Sequence, residues 1–333
     1  MSAPNRRQAW LTLGLSRLGP RQIAALVEQM GSPEAVVKRL KLKHCNPSDP
    51  FAALTPGDLE YPISLLDLCD PPALLYRAGL PFPSPEHPRV AIVGSRRATP
   101  YGRTLAYRLG ADLAARGVVV VSGLAMGIDS AAHQGAMTSF RSEAHPVAVL
   151  GCGLDYDYPR TNRALRTQMA RQACLLSEYP AGTAPAAWRF PARNRIVAGL
   201  CQVVVVVEAG LRSGALITAD LAQDLGRTVM AAPGHVGNPN SDGTHKLLYE
   251  GSSIVRGVDD IIDQLGYATQ LAAPPQLEEP LAQVYQALDP GGSSMAELSV
   301  KTGFDAPALA RALVHLELKG LVLRHLGGLY TPV

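Results

Sequence analysis

The sequence has little of what metal, membrane or redox chemistry requires. Its five cysteines (Cys45, Cys69, Cys152, Cys174 and Cys201) are widely scattered and form no C-x-x-C pair. That scatter excludes a zinc ribbon and a disulfide framework, and it fits buried thiols in a reducing cytosol. No apolar run is long enough to span a bilayer and the first residues carry no apolar h-region, so a cytosolic protein without membrane association is expected. His133 and His245 lack partners at metal-ligand spacing and read as structural, and no metal or cofactor is expected. A G-x-x-x-x-G-K-S/T string is absent. G-x-G-x-x-G fails because Arg96 stands at its second glycine, where a side chain obstructs backbone approach to a pyrophosphate. ATP and NAD are thereby set aside. Ser122 and Ser213 do not lie in G-x-S-x-G, so a hydrolase elbow has no support. Net charge is only +3, and a nucleic-acid site must then be a local patch.

What is present is an ordinary globular composition, 47% hydrophobic and 18% charged, over 333 residues, enough for two or three domains. The organising stretch runs from Val90 to Met137. VAIVG and VVVVSG are continuous apolar runs, each ending in a glycine turn and followed by a helical pattern, as in a βαβ unit of a parallel sheet. Both turns fall at carboxyl ends of strands, where open α/β sheets bind ligands and helix N-termini receive anions. A phosphate-recognising crevice is therefore expected near Gly94, Ser95, Arg96, Ser122 and Gly123. Arg96 and Arg97 at its mouth suggest phosphates held by guanidinium forks and backbone amides.

The flanks extend this plan. Residues 1–45 read as short helices, and the Leu18-Gly19-Pro20 turn is similar to a helix-hairpin-helix element. They hold eight basic residues against two acidic ones, either DNA contacts or merely solvated charges. Residues 46–88 are proline-rich, a linker carrying a strand that adds to the sheet edge. Beyond Met137, strand and helix patterns alternate to residue 266, with VVVVV (203–207) expected as a central strand. After a linker come three helices and a hairpin with Gly-Gly at its tip, a winged-helix pattern. The expected domains are 1–80, 81–268, a linker 269–279, and 280–333.

Seven strings carry a family resemblance: GSRRATPYG, VSGLAMGIDSAAHQGA, GCGLDYDYPRTN, LLSEYPAGTAP, FPARNRIVAGL, VVVVEAGLRSGALITADLA, and APG followed by SDGTHKLL. In order, they resemble the DNA-processing protein A family (DprA, also called Smf). The resemblance implies an α/β fold with an extended Rossmann-like, doubly wound, mostly parallel sheet, a small N-terminal helical SAM or helix-hairpin-helix-like domain and a C-terminal winged helix. It implies a non-enzymatic, sequence-independent binder of single-stranded DNA. Such a protein protects incoming strands, loads the RecA recombinase during natural transformation and forms a homodimer through the Rossmann-like domain.

The residues agree with a backbone-binding pocket. Arg96 follows the first strand, Arg160 and Asn162 the third, and Arg189, Arg193 and Arg195 surround the loop before the fifth, all converging on one sheet edge. From Gly151 to Leu200, seven arginines face three acids. Phe190 and Trp188 lie among them, as in sequence-tolerant base stacking, although Phe190 could equally be core. Asn194 is either a contact or a helix N-cap. Asp129 caps the following helix or orients Arg96. The expected DNA-binding set is Gly94, Ser95, Arg96, Arg97, Ser122, Gly123, Gly127, Arg160, Asn162, Arg189, Phe190, Arg193, Asn194, Arg195, Ser213, Gly214 and Lys246. The third helix of the winged domain, with Arg311, His315 and Lys319, gives weak support for groove reading. A rival reading is a nucleotide phosphoribohydrolase with Glu208 assisting N-glycosidic cleavage, though the PGGxGT-type loop of such enzymes is absent. A third is a regulator acting through its winged helix.

Overall fold

Short runs of β-branched and aliphatic residues, apolar at every position rather than at alternate ones, fix the centre of the molecule. A strand reads this way only when both its faces are covered. The computed structural model describes residues 6–16, 18–43, 49–141, 143–266, 277–289, 292–319, 321–325 and 328–332. They fall into two compact units, residues 1–269 and 270–333.

The first unit opens with three helices, α1 (Arg6–Gly14), α2 (Pro20–Met30) and α3 (Pro33–Arg39). Gly19 is the N-cap of α2, with Pro20 in its first turn, and the Gln22 side chain accepts from the Gly19 N–H at 3.0 Å. Ala9, Trp10, Leu13, Ile23, Val36 and Val37 bury one cluster between these helices. Leu11 points the other way, into the cluster under the sheet.

The sheet has nine strands in the order β1-β2-β6-β5-β4-β3-β7-β8-β9. These are β1 (Ala52–Leu54), β2 (Leu75–Gly79), β3 (Arg89–Val93), β4 (Val119–Ser122), β5 (Val147–Leu150), β6 (Cys174–Ser177), β7 (Val203–Val206), β8 (Thr228–Ala231) and β9 (Ser253–Ile254). From β3 onward every pairing is parallel, and β1 and β2 add antiparallel at the β6 edge. Two strands thus lie where the sequence suggested one. The pattern gave no sign of β9, which is only two residues long.

The crossover helices are α4 (Pro100–Ala115), α5 (Ile128–Ser139), α6 (Arg163–Gln172), α7 (Arg189–Leu200), α8 (Gly214–Asp224) and α9 (Asp242–Tyr249), and α10 (Val258–Leu265) follows the last strand. Helices α4, α5 and α10 cover the sheet face bearing Val90, Ile92, Val120 and Val205. Helices α7 and α8 cover the face bearing Ala91, Val93, Val121 and Val204. Each such buried valine stabilises the fold by roughly 1.5–3 kcal/mol. The chain winds outward from β3 to β6, then α7 carries it back to β7 on the far side of β3. The strand order therefore reverses at β3, and a crevice opens beyond the carboxyl ends of β3 and β7.

The second unit holds α11 (Leu281–Gln286), β10 (Ser293–Ser294), α12 (Met295–Thr302), α13 (Ala306–Leu318), β11 (Val322–Arg324) and β12 (Leu329–Pro332). Its three strands pair in the order β10-β12-β11 over a core of Val284, Leu298, Leu309, Leu313, Leu316 and Tyr330. Residues 267–276, which include most of the expected linker (269–279), residues 326–327 at the expected hairpin tip and Cys45 lie outside the described residues. Of the other cysteines, Cys152, Cys174 and Cys201 are buried as expected, but Cys69 is exposed. Among the described residues no helix is long and apolar enough to cross a membrane.

Candidate nucleic-acid interface

Three strand-to-helix turns build a cleft of about 700 Å³ at the switch point. The turn after β3 is pinned on every side. Ser95 N–H donates to the Glu208 carbonyl at 2.6 Å, Ile128 N–H donates to the Ser95 carbonyl at 3.2 Å, and Asn240 Nδ2 donates to the Arg97 carbonyl at 2.9 Å. Gly127, at φ +81°, lets α5 approach, because a Cβ there would lie 2.2 Å from the Ser95 oxygen. The backbone is thereby fixed while the side chains of Arg96 and Arg97 project, exposed, into the cleft mouth. Across from them, Arg212, Ser213 and Gly214 bring the N-terminus of α8 to the same opening. A helix N-terminus beside guanidinium groups is a ready place for an anion.

Phe190 closes one wall. Its ring stacks on Tyr158 (centroids 5.3 Å apart, planes at 26°), and the Arg96 guanidinium carbon lies 4.8 Å from its centroid. The ring faces the cleft while packing at its side, so the core and contact readings of Phe190 are not exclusive.

Beneath the mouth, other arginines are consumed by the protein itself. Arg193 is buried and donates to the Val149 carbonyl and, at 2.8 Å, to the Gly123 carbonyl. It ties together the ends of β4 and β5. Its guanidinium occupies the space above Gly123, where a Cβ would lie 2.2 Å from Nη2. Asp129 Oδ2 accepts from the N–H groups of Gly123 (3.1 Å) and Ala125 (3.4 Å), bracing the loop before α5. Burial pushes the Asp129 carboxyl up and the Arg193 guanidinium down, and each charge opposes the shift of the other. The cation nearest in influence to Asp129 is thus Arg193, not Arg96. Arg195 is buried as well. Its Nη2 donates to both carboxylate oxygens of Glu178 at 2.7 Å, and its Nε approaches Asp70 at 3.3 Å.

The remaining expected residues divide. Gly94, Ser95, Gly123, Asn194, Ser213 and Gly214 line the cleft. Asn194 is inside α7, which begins at Arg189, so it caps nothing; its side chain donates to the Gly214 carbonyl at 3.2 Å. The Ser122 hydroxyl is buried and donates to the Ile92 carbonyl at 2.6 Å. Asn162 Nδ2 donates to the carbonyls of Leu124 (3.0 Å) and Ala125 (3.1 Å), holding Leu124 at φ +53°. Arg160 is exposed on a 3₁₀ turn, and Arg189 bonds the Ala184 carbonyl. Lys246 lies on α9, 3.7 Å from Glu250, and does not line the cleft.

Sequence reasoning missed Arg212, Tyr158 and Asn240, all of which line the cleft. Arg212 carried a usable signal: it sits in a glycine turn between an apolar run and a helix, as Arg96 does. Glu208 is buried and accepts from both the N–H and the hydroxyl of Thr99, the N-cap of α4. Its carboxylate is committed to that helix start. His245 Nε2 lies 3.0 Å from the Gly234 carbonyl, and among the described residues no group of three or more acidic, histidine or cysteine side chains could hold a metal.

Residues 52–266, which include every wall of this cleft, match the family described as DNA recombination-mediator protein A. The chain belongs to that family. Residues 268–328 match the DprA winged helix domain. Protein Smf of Escherichia coli is 35% identical over 304 residues, covering 87% of this chain and 80% of that protein. A Mycobacterium tuberculosis DprA relative is 44% identical over 240 residues, 69% of this chain, and the chain spans only 61% of that relative's length. Among solved structures, DprA from Streptococcus pneumoniae superposes with a TM-score of 0.63 at 34% identity, covering 79% of this chain and 93% of that one. DNA processing protein A from Helicobacter pylori, described for its single-stranded DNA binding mode, gives 0.58 at 31% identity, covering 66% and 99%. The extended Rossmann-like sheet and the winged helix expected of a DprA are both present.

Proposed function

We propose that this DprA-family protein binds single-stranded DNA without regard to sequence, protects it, and loads a RecA recombinase onto it during transformation. It does so as a cytosolic homodimer joined through the Rossmann-like domain. The observation that carries the binding reading is charge left over at the cleft. Among the described residues, no ion pair involves Arg96, Arg97 or Arg212. All three surround one opening, beside the N-terminus of α8 and the Phe190 ring. Unpaired cations converging on backbone amides suit a chain of phosphates. A bulky duplex fits such a recess less well than a strand whose bases can splay apart.

The phosphoribohydrolase alternative needs a free carboxylate at the cleft, and Glu208 is held by Thr99. No reaction is assigned. The test is fluorescence anisotropy with labelled oligo-dT and a matched duplex across a salt series. Single-strand binding should be tighter, should fall linearly in log salt, and should weaken with Arg96→Ala. Equal binding to both DNAs, indifferent to Arg96, would move the site elsewhere. Loading is tested separately, by RecA filament formation on strands coated with single-strand binding protein, which should require this protein.

A further inference from the structure

The chain has two tryptophans, and their surroundings differ sharply. Trp10 is 8% exposed inside the N-terminal helical cluster, whereas Trp188 is 64% exposed. Trp188 is the N-cap of α7, two residues before Phe190, and the residues immediately before it, Pro185 to Ala187, line the cleft. The indole therefore stands just outside the rim of the phosphate-binding opening. It is also held in place. Tyr179 meets it edge to face at 6.4 Å and 84°, and the Arg189 guanidinium carbon lies 5.0 Å from the centroids of both rings. Arg189 is itself anchored on the Ala184 carbonyl. An indole fixed from behind by a cation, with the rest of its surface in water, is a preorganised stacking platform. Phe190 differs: Tyr158 and Arg96 already lie over its ring.

We propose that Trp188, backed by Arg189 and Tyr179, stacks a nucleobase of the strand outside the cleft while the neighbouring phosphates are gripped within it. This rests on the single-strand reading above and deepens it. The surrounding charge favours a nucleic acid over an apolar protein surface, since Arg189 lies over the ring, Arg96 lies over the ring of Phe190 two residues on, and Glu178 is neutralised by Arg195. The arrangement also discriminates against duplex, where both faces of each base are already stacked.

Trp188 supplies its own probe, because the other indole is buried. Oligo-dT should quench the tryptophan emission of the full chain, and an abasic oligonucleotide of equal length should bind without quenching. Trp188→Ala should weaken oligo-dT binding about ten-fold while leaving abasic affinity unchanged, and Trp188→Phe should restore most of the loss. Tight, Arg96-dependent binding with unquenched emission, or wild-type affinity in Trp188→Ala, overturns this inference alone. Failure of the wild-type protein to bind either oligonucleotide overturns it together with the reading beneath it.

Discussion

At the mouth of the cleft Arg96, Arg97 and Arg212 keep their charge unshared; on its floor and behind it, Arg193 and Arg195 have given theirs away. The residue type is the same, and the burial and the partners are not. Arg195 is 7% exposed against two carboxylates, and Arg193 is 5% exposed against backbone carbonyls. The first group is available to a ligand. The second builds the frame that makes the first group converge. A local excess of arginine is therefore a poor measure of a binding patch until the internal pairs are removed: Arg163 and Arg166 share Asp157, and Arg195 takes Glu178.

The sharpest break in this comparison comes from Arg195→Ala. It would leave the largely buried Glu178 without its partner and Asp70 with only the exposed Arg21, so we expect about 3 kcal/mol of lost stability in urea unfolding. The molecules that remain folded should bind oligo-dT normally. Arg96→Ala should do the reverse. Its stability should stay within about 0.5 kcal/mol of wild type, while single-strand affinity falls about ten- to hundred-fold and the salt slope drops by about one. A folded Arg195→Ala protein with weakened DNA binding, or an unstable Arg96→Ala protein, would erase the distinction.

The same contrast explains what could be read from the sequence. The parallel sheet, its switch point and the turns at Gly94 and Gly123 were legible because apolar runs and glycines are local signals. The fate of each arginine was not, because it depends on partners far away in the chain: Arg195 meets Asp70, and Arg193 meets the carbonyls of Gly123 and Val149. Asn194 misled for a related reason. The helix begins at Arg189, ahead of a proline that a first turn tolerates, so a residue that resembled a cap lies inside. Arg212 sits in a glycine turn of the same kind, directly before the expected contacts Ser213 and Gly214, so its signal was as local as that of Arg96.

The buried side of the comparison also has a pH signature. His133 on α5 is fully buried near Arg193, and burial holds its imidazole down to about 3 from the ordinary 6.5. The unfolded chain therefore takes up a proton at His133 before the folded one does. Stability from this residue is complete above pH 6.5 and declines as pH falls from there toward 3, by about 1.4 kcal/mol per unit, or about 2 kcal/mol by pH 5. Urea midpoints between pH 7 and 5 should show this slope in the wild type and its loss in His133→Leu. An unchanged slope in the variant would assign the acid sensitivity to other groups.

The smallest effect belongs to Lys246. By sequence it stood with the DNA-binding residues, yet it lies on α9, half exposed, in an i,i+4 pair with Glu250. Such exposed pairs contribute at most about 0.5 kcal/mol, so Lys246→Ala should melt like the wild type. It adds one positive charge outside the cleft, and a long-range charge of that kind is screened within about 10 Å at 0.1 M salt. Oligo-dT affinity should then change less than about two-fold at that ionic strength, against a loss of ten-fold or more for Arg96→Ala. A larger drop for Lys246→Ala would mean that the strand leaves the cleft across α9, and the free cations at the mouth would be only part of a longer track.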